Sequence, residues 1–330
     1  MKKYIVPGIF FLVVLVAAVR TFMDKPDPLN FSPTVSYVVI VLLLASLLFV
    51  LVLTLRGHLI ERRTVFAFIG IALTLPFFMS IALKIKPSPE VLEFYDAIAK
   101  LPPGSKVLAA FDYDPPSAPE LQPMADAFMK YAFKHEIKVI IIGLWPQGPQ
   151  QAILATNRAL EDSIVQSRNI QYGTDYVNLG FQSGNEFVIQ RMGSSFKSMF
   201  PRDINSTPYE QIPLLNGVEN FSNIDLIVNF SAGYPGTKEW VQYAVDRFQI
   251  QCSAGNTAVQ APEMYPYLSA GQLQGLAGGM TGAAEFEFAT KETGKASLAM
   301  LSQVFSHAVV IAFIIIGNFA FLRSRFGKGK

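Results

Sequence analysis

Four strongly apolar stretches of the chain carry no charged side chain: 4–19, 35–55, 64–83 and 296–322. A helix crossing the hydrocarbon core of a bilayer needs about 20 mostly apolar residues. The last three stretches meet that length, and the first meets it if Arg20 snorkels to the interface, extending it to about residue 22. The pattern therefore predicts four transmembrane helices, at about 4–22, 35–55, 64–83 and from 296 onward. The first run also fits a signal peptide, with "MKK" ahead of an apolar core, but no Ala-x-Ala site with a plausible mature start follows it. It is read as a helix.

Between residues 86 and 295 the pattern is different. Short apolar runs alternate with stretches of helical period. "KVLAAFDY" (106–113), "KVIIIGLW" (138–145), "YVNLGF" (176–181), "NIDLIVNF" (223–230) and "FQIQC" (248–252) read as strands. Leu121, Met124, Ala125, Phe128, Met129 and Ala132 recur at helical spacing after the first strand. Residues 150–166 form a second helix with Ile153, Leu154, Ala155, Leu160 and Ile164 as its core face, and 185–197 a third. Thr237 is read as the cap of a helix carrying Trp240, Val241, Ala244 and Val245. Strand and helix in alternation imply a parallel sheet covered on both faces. The expected class is a doubly wound α/β domain of Rossmann or flavodoxin type. The chain thus divides into three spans (1–85), the α/β domain (86–295), and a fourth span with a basic tail (296–330).

Charge then orients the spans. Lys2, Lys3, Arg56, Arg62, Arg63, Arg323, Arg325, Lys328 and Lys330 face a single acid, Glu61, across the amino end, the link between spans two and three, and the tail. By the positive-inside rule these segments are cytoplasmic. The α/β domain is then extracytoplasmic, in a multi-pass protein of the cell membrane. Residues 84–295 hold 16 basic and 22 acidic side chains, which disfavours nucleic acid as a partner. Cys252 is the one cysteine, so no internal disulfide forms.

Ligands of doubly wound sheets sit beyond the carboxyl ends of the strands. At the first such end stand Asp112 and Asp114, in "FDYDPPSAPE". Paired carboxylates suit a divalent ion. A strand ending in Asp-x-Asp resembles the haloacid-dehalogenase phosphatases, and the resemblance implies Asp112 as nucleophile and the pair as a magnesium site. That family carries a small residue, usually Thr or Val, soon after the second Asp, whereas Pro115 and Pro116 stand here; its later lysine and acidic motifs are not identified. The plainer expectation is that Asp114 caps a turn and both carboxylates reach solvent at the sheet edge.

"SAG" occurs at 231–233, 253–255 and 269–271. The first two are read as strand ends, where Ser231, Gly233, Ser253, Gly255 and Asn256 are candidates to hold an anion or small solute. His135 is placed at the opposite edge of the sheet, which excludes a Ser–His or Cys–His pair. There is no "GxxxxGK[ST]" nucleotide loop and no zinc constellation, and no cofactor is expected. Gly271, Gly275 and Gly279, four apart, are read as one helix face making a close contact within the domain or between subunits. His307 and Asn318 are the polar residues of the last span, and with no acidic partner in any span they make no proton path. The leading expectation is a non-enzymatic membrane subunit or scaffold, anchored in the lipid bilayer, that forms homo-oligomers or binds other membrane subunits. The alternatives are a tethered metal-dependent hydrolase using Asp112 and Asp114, or a small-solute receptor at the strand ends.

Overall fold

The computed structural model describes residues 33–56, 61–78, 85–292, 294 and 296–326. They pack as two units, Ile85–Ser297 and the described residues on either side of it.

The flanking unit holds α1 (Pro33–Leu55) and α2 (Arg62–Thr74). Two hydroxyls of α1 are satisfied within the helix: Ser46 Oγ donates to the Leu43 carbonyl at 2.7 Å and Thr54 Oγ1 to that of Val50 at 2.9 Å. This is what an apolar surrounding requires. The predicted span 64–83 is not one helix. The α-helix stops at Thr74 after 13 residues and tightens into a 3₁₀ turn, Leu75–Phe78. Pro76 has no N–H to continue the ladder, and 13 residues rise only ~20 Å. The predicted span 4–22 lies outside the described residues.

In the α/β unit, α3 (Pro89–Ala99) leads into β1 (Lys106–Asp112), α4 (Ala118–Lys134), β2 (Lys138–Gly143) and α5 (Gly148–Leu160). Then follow α6 (Ser163–Ser167), β3 (Tyr176–Phe181), α7 (Glu186–Met192), α8 (Phe196–Met199) and β4 (Leu226–Ser231). After β4 come α9 (Thr237–Trp240), extended through a π-helical turn Val241–Val245, β5 (Cys252–Asn256), α10 (Ala261–Ser269), β6 (Leu276–Gly278) and α11 (Gly279–Thr290). The chain leaves through α12 (Ala296–Phe326). Among the described residues two helices, not four, are long and apolar enough to cross a membrane, through Ser36–Thr54 and Ala296–Arg323. His307 and Asn318 lie on exposed positions of the second.

All six strands are parallel, in the order β3-β2-β1-β4-β5-β6. The doubly wound class holds, with the Rossmann order and not that of flavodoxin. The order reverses between β1 and β4, which makes that gap the switch point. Both sheet faces are covered, so β1 and β4 read as nearly unbroken apolar runs. Side chains alternate between the faces. Phe111 and Phe230 turn to the α4 side, where Phe128 meets Phe230 at 5.8 Å. Leu108, Ala110, Ile227, Cys252 and Ala254 turn the other way, into the cluster around Trp240.

Several boundaries moved. The predicted helix 150–166 is broken at Asp162, whose carboxylate accepts from the amides of Ile164 and Val165 and starts α6. Its core face is small, Ala152, Ala155 and Ala159, while Leu154 and Ile164 are exposed. The helix 185–197 is two helices, the second capped by Ser195. Thr237 is not the cap of α9; Gly236 holds that position, with its N–H donated to Glu239 at 2.8 Å. The fifth strand lies at 252–256, not 248–252, because Gln249 takes a left-handed conformation (φ 57°) that ends the preceding helix.

The glycine reading is also corrected. Residues 271–282 are a turn, a strand and the start of α11, not one helix face. Gly271 (φ +73°) has open space around its missing Cβ, and Gly279 (φ +61°) passes Ala258. Gly275 does make a close contact, within the domain. A Cβ there would stand 2.0 Å from the Phe94 amide nitrogen of α3.

Candidate functional site

Alternation and register bring four polar residues together at the carboxyl end of the sheet, on the Trp240 face. Asp112 is level with Ser231, and Ser231 with Asn256, across β1, β4 and β5. Asn229 lies two residues before Ser231, and hence on the same face. All four are fully buried.

The expectation that Asp112 reaches solvent is overturned. Its carboxylate accepts from the Leu144 amide at 2.7 Å, from Asn229 Nδ2 at 2.7 Å and from Trp240 Nε1 at 2.8 Å. Burial pushes its pKa from 3.8 up to about 7. The three donors pull it back and the charge of Glu239 adds to the rise, so desolvation outweighs hydrogen bonding here. Asp114, beyond the strand, is partly exposed and accepts from Ser117 Oγ at 2.9 Å at the head of the turn Pro115–Ser117. The two carboxylates have separate partners. Among the described residues no group of three or more His, Cys, Asp or Glu is arranged to hold a metal ion.

The network runs on from Asp112. Thr237 Oγ1 donates to Asn229 Oδ1 at 2.7 Å, and Asn256 Nδ2 donates to Thr237 Oγ1 and to Gln260 Oε1, both at 2.8 Å. Gln260 Nε2 reaches the Gly233 carbonyl at 3.1 Å. Ser231 Oγ also donates to that carbonyl, at 3.1 Å, and Gly233 lies against the Trp145 ring, whose Nε1 donates to the Pro235 carbonyl at 2.8 Å. The strand-end polar groups thus hold the loop 232–236 to the sheet. Asn256 Oδ1 is buried without a partner.

The remaining candidates lie elsewhere. Ser253 is not a strand end. It pairs with Val228 inside the sheet, with Oγ buried and unpartnered. Gly255 serves packing: a Cβ would come within 2.7 Å of Met124 Sδ and 2.9 Å of the Phe230 ring. Cys252 is buried, and burial pushes its thiol pKa up. His135 caps the carboxyl end of α4, stacked on Tyr131 at 3.9 Å, ahead of β2 and so at the other edge of the sheet. A cleft at that edge is lined by Glu136, Lys138, Arg168 and Asp175, and its charges pair as Lys138 with Asp175 and Arg168 with Glu136.

Sequence reasoning missed Asn229, Thr237 and Gln260 as members of the network, and it placed Trp240 in the core without its bond to Asp112. A signal was present: Asn229 is an amide inside the apolar run "LIVNF", and a buried amide needs partners.

Comparison with protein-family models, with curated proteins and with solved structures finds no match to this chain.

Proposed function

We propose that the chain is a non-enzymatic, membrane-anchored component whose α/β domain, held outside the cytoplasm, associates with copies of itself or with other membrane subunits. The observation that carries this reading is the filled switch point. Where a doubly wound sheet would bind its ligand, the Trp240 indole and the Asp112 carboxylate are joined and buried. A hydrolase would need Asp112 free to meet substrate or metal, and its oxygens already accept three bonds.

The same edge carries an exposed apolar rim. Phe187, Tyr234 and Val259 are 57%, 62% and 88% exposed. They stand on segments tied to one another: Tyr234 OH donates to Glu186 Oε2 at 3.0 Å, and Gln260 holds the Gly233 carbonyl. Rigid aromatic and aliphatic side chains are what protein contacts use. In this reading the run 4–22 and the interrupted run 64–83, α2 with the 3₁₀ turn that follows it, join α1 and α12 as four membrane passages, with the basic segments inside. A small-solute receptor is the second reading, supported by the unpartnered Asn256 Oδ1. The mass of the full-length particle in mild detergent separates them. An assembly exceeding one 36.4 kDa chain supports association; a monomer stabilised by a small solute supports the receptor.

A further inference from the structure

The chain enters and leaves the α/β unit beside one helix, α11. At the entry, Glu285 Oε2 accepts from the amide and hydroxyl of Ser88, the cap of α3, at 2.9 and 2.7 Å. At the exit, Glu287 accepts from the Ala296 amide at 3.0 Å and from the Ser297 amide at 3.3 Å, where α12 begins. The start of α12 is thus pinned to α11 and does not hang on a loose tether.

Two large apolar side chains stand exposed at this place. Phe288 is 51% exposed and Leu92 42%. Phe288 lies one helical turn after Glu285, and Leu92 one turn after Ser88, so they flank the Ser88–Glu285 bond from its two helices. Those helices are packed together, with Phe94 stacked on Phe286 at 4.6 Å. Among the described residues the exposed charges nearby are of both signs: Lys86 and Lys291 beside the entry and exit, Glu93 and Asp96 on α3, the last 4.0 Å from Lys100. The apolar side chains, not a net charge, therefore decide what this face meets.

Chain lengths bring the bilayer to it. The candidate span Ala296–Arg323 has 28 residues. It rises about 42 Å, which matches the ~40–45 Å of a bilayer with its headgroups, so Ala296 stands at headgroup level. Phe288 follows the residue whose carboxylate holds the Ala296 amide, which keeps its Cα within about 15 Å of that level. Glu292, between α11 and α12, is held by Lys134 at 2.8 Å, at the end of α4 from which the chain turns into β2. That is the amino edge of the sheet, opposite the rim of Phe187, Tyr234 and Val259.

We propose that the α3–α11 face seats the domain on the headgroup layer of the membrane that α12 crosses, with Phe288 and Leu92 entering the lipid interface and the carboxyl rim turned away from it. The inference rests on the membrane-anchored reading and adds the face by which the domain meets lipid. Apolar side chains gain by leaving water at the headgroup boundary, while Lys86 and Lys291 can extend their ammonium groups to lipid phosphates.

The test is nitroxide quenching of the full-length protein in phosphatidylcholine proteoliposomes. An environment-sensitive fluorophore is placed singly on Phe288→Cys, Leu92→Cys, Val259→Cys or Ile315→Cys; the native Cys252 is buried. Labels at 288 and 92 should lose most of their emission to a headgroup nitroxide. The label at 315, an exposed position of α12, should lose its emission to an acyl-chain nitroxide, and the label at 259 to neither. Quenching at 315 with none at 288 and 92 overturns this proposal and leaves the membrane reading standing. So does equal quenching at 288 and 259. A label at 288 that is shielded from a water-soluble quencher yet unmoved by either lipid reports protein cover, and also overturns it. No quenching at 315 sinks the membrane reading and this proposal with it.

Discussion

Trp240 Nε1 donates to Asp112 Oδ2 at 2.8 Å, across the gap where the strand order reverses. The bond joins the end of β1 to the helix after β4. It places a carboxylate and an indole where a Rossmann-type sheet elsewhere leaves a crevice.

Asp112→Ala should destabilise the fold severely. It strands the Leu144 amide and Trp240 Nε1, each at about 1–3 kcal/mol for a buried donor left unpaired, and it opens a cavity. Thermal unfolding of the full-length protein checks this. A variant that melts like the wild type would show that Asp112 is not part of the structural core.

Stability should also vary with pH in a stated direction. The pKa values of Asp112 and Glu287 rise from 3.8 and 4.5 to about 7 in the folded protein. The folded state therefore binds these protons more tightly than the unfolded state. Their contribution is fully present below about pH 4 and is lost as pH rises to about 7. Melting temperatures measured between pH 5 and 8 should fall, and Asp112→Asn should flatten part of that slope. The deficit of Asp112→Asn relative to the wild type should thus shrink as pH rises.

Two glycines of the "GQLQG" segment should behave oppositely to what equal spacing suggests. At Gly275 any Cβ collides with the α3 backbone, 2.0 and 2.3 Å from Phe94 N and Cα. Gly275→Ala should fail to accumulate or unfold far below the wild type. Gly271→Ala meets nothing within 4 Å and bears only the left-handed φ of +73°, a cost of about 1–2 kcal/mol. Equal melting temperatures for the two variants would contradict the packing described.

Sidedness follows from the basic bias and can be read with an impermeant thiol reagent on intact cells. The native Cys252 is buried and should stay silent. Ser167→Cys, at an exposed position of the α/β domain, should label, and Ser324→Cys, near the basic tail, should not. Labelling at 324 alone would invert the topology.

What the sequence disclosed followed from how strongly each segment was patterned. β3, "YVNLGF" at the sheet edge, carried a weaker pattern, while β1, β2 and β4 were legible because a strand buried on both faces is a mostly apolar run. β5, "CSAGN", was not, since its small residues fit there only because Met124 and Phe230 fill the space beside Gly255. β6 has three residues and sits among glycines whose spacing imitates a helix face. Asp112 and Asp114 look alike in sequence. Which one is buried depends on strand alternation and on Trp240, 128 residues away, and no local pattern carries that.

The account turns on the rim at the sheet's carboxyl edge, and photo-crosslinking in intact cells addresses it directly. A photoreactive residue in place of Tyr234 or Val259 should give a discrete higher-mass band from each, containing a second copy of the chain or another membrane subunit. The same residue in place of Arg168, at the opposite edge of the sheet, should give none. No band from either rim position, or equal bands from both edges, would contradict the claim that this face is where the domain associates.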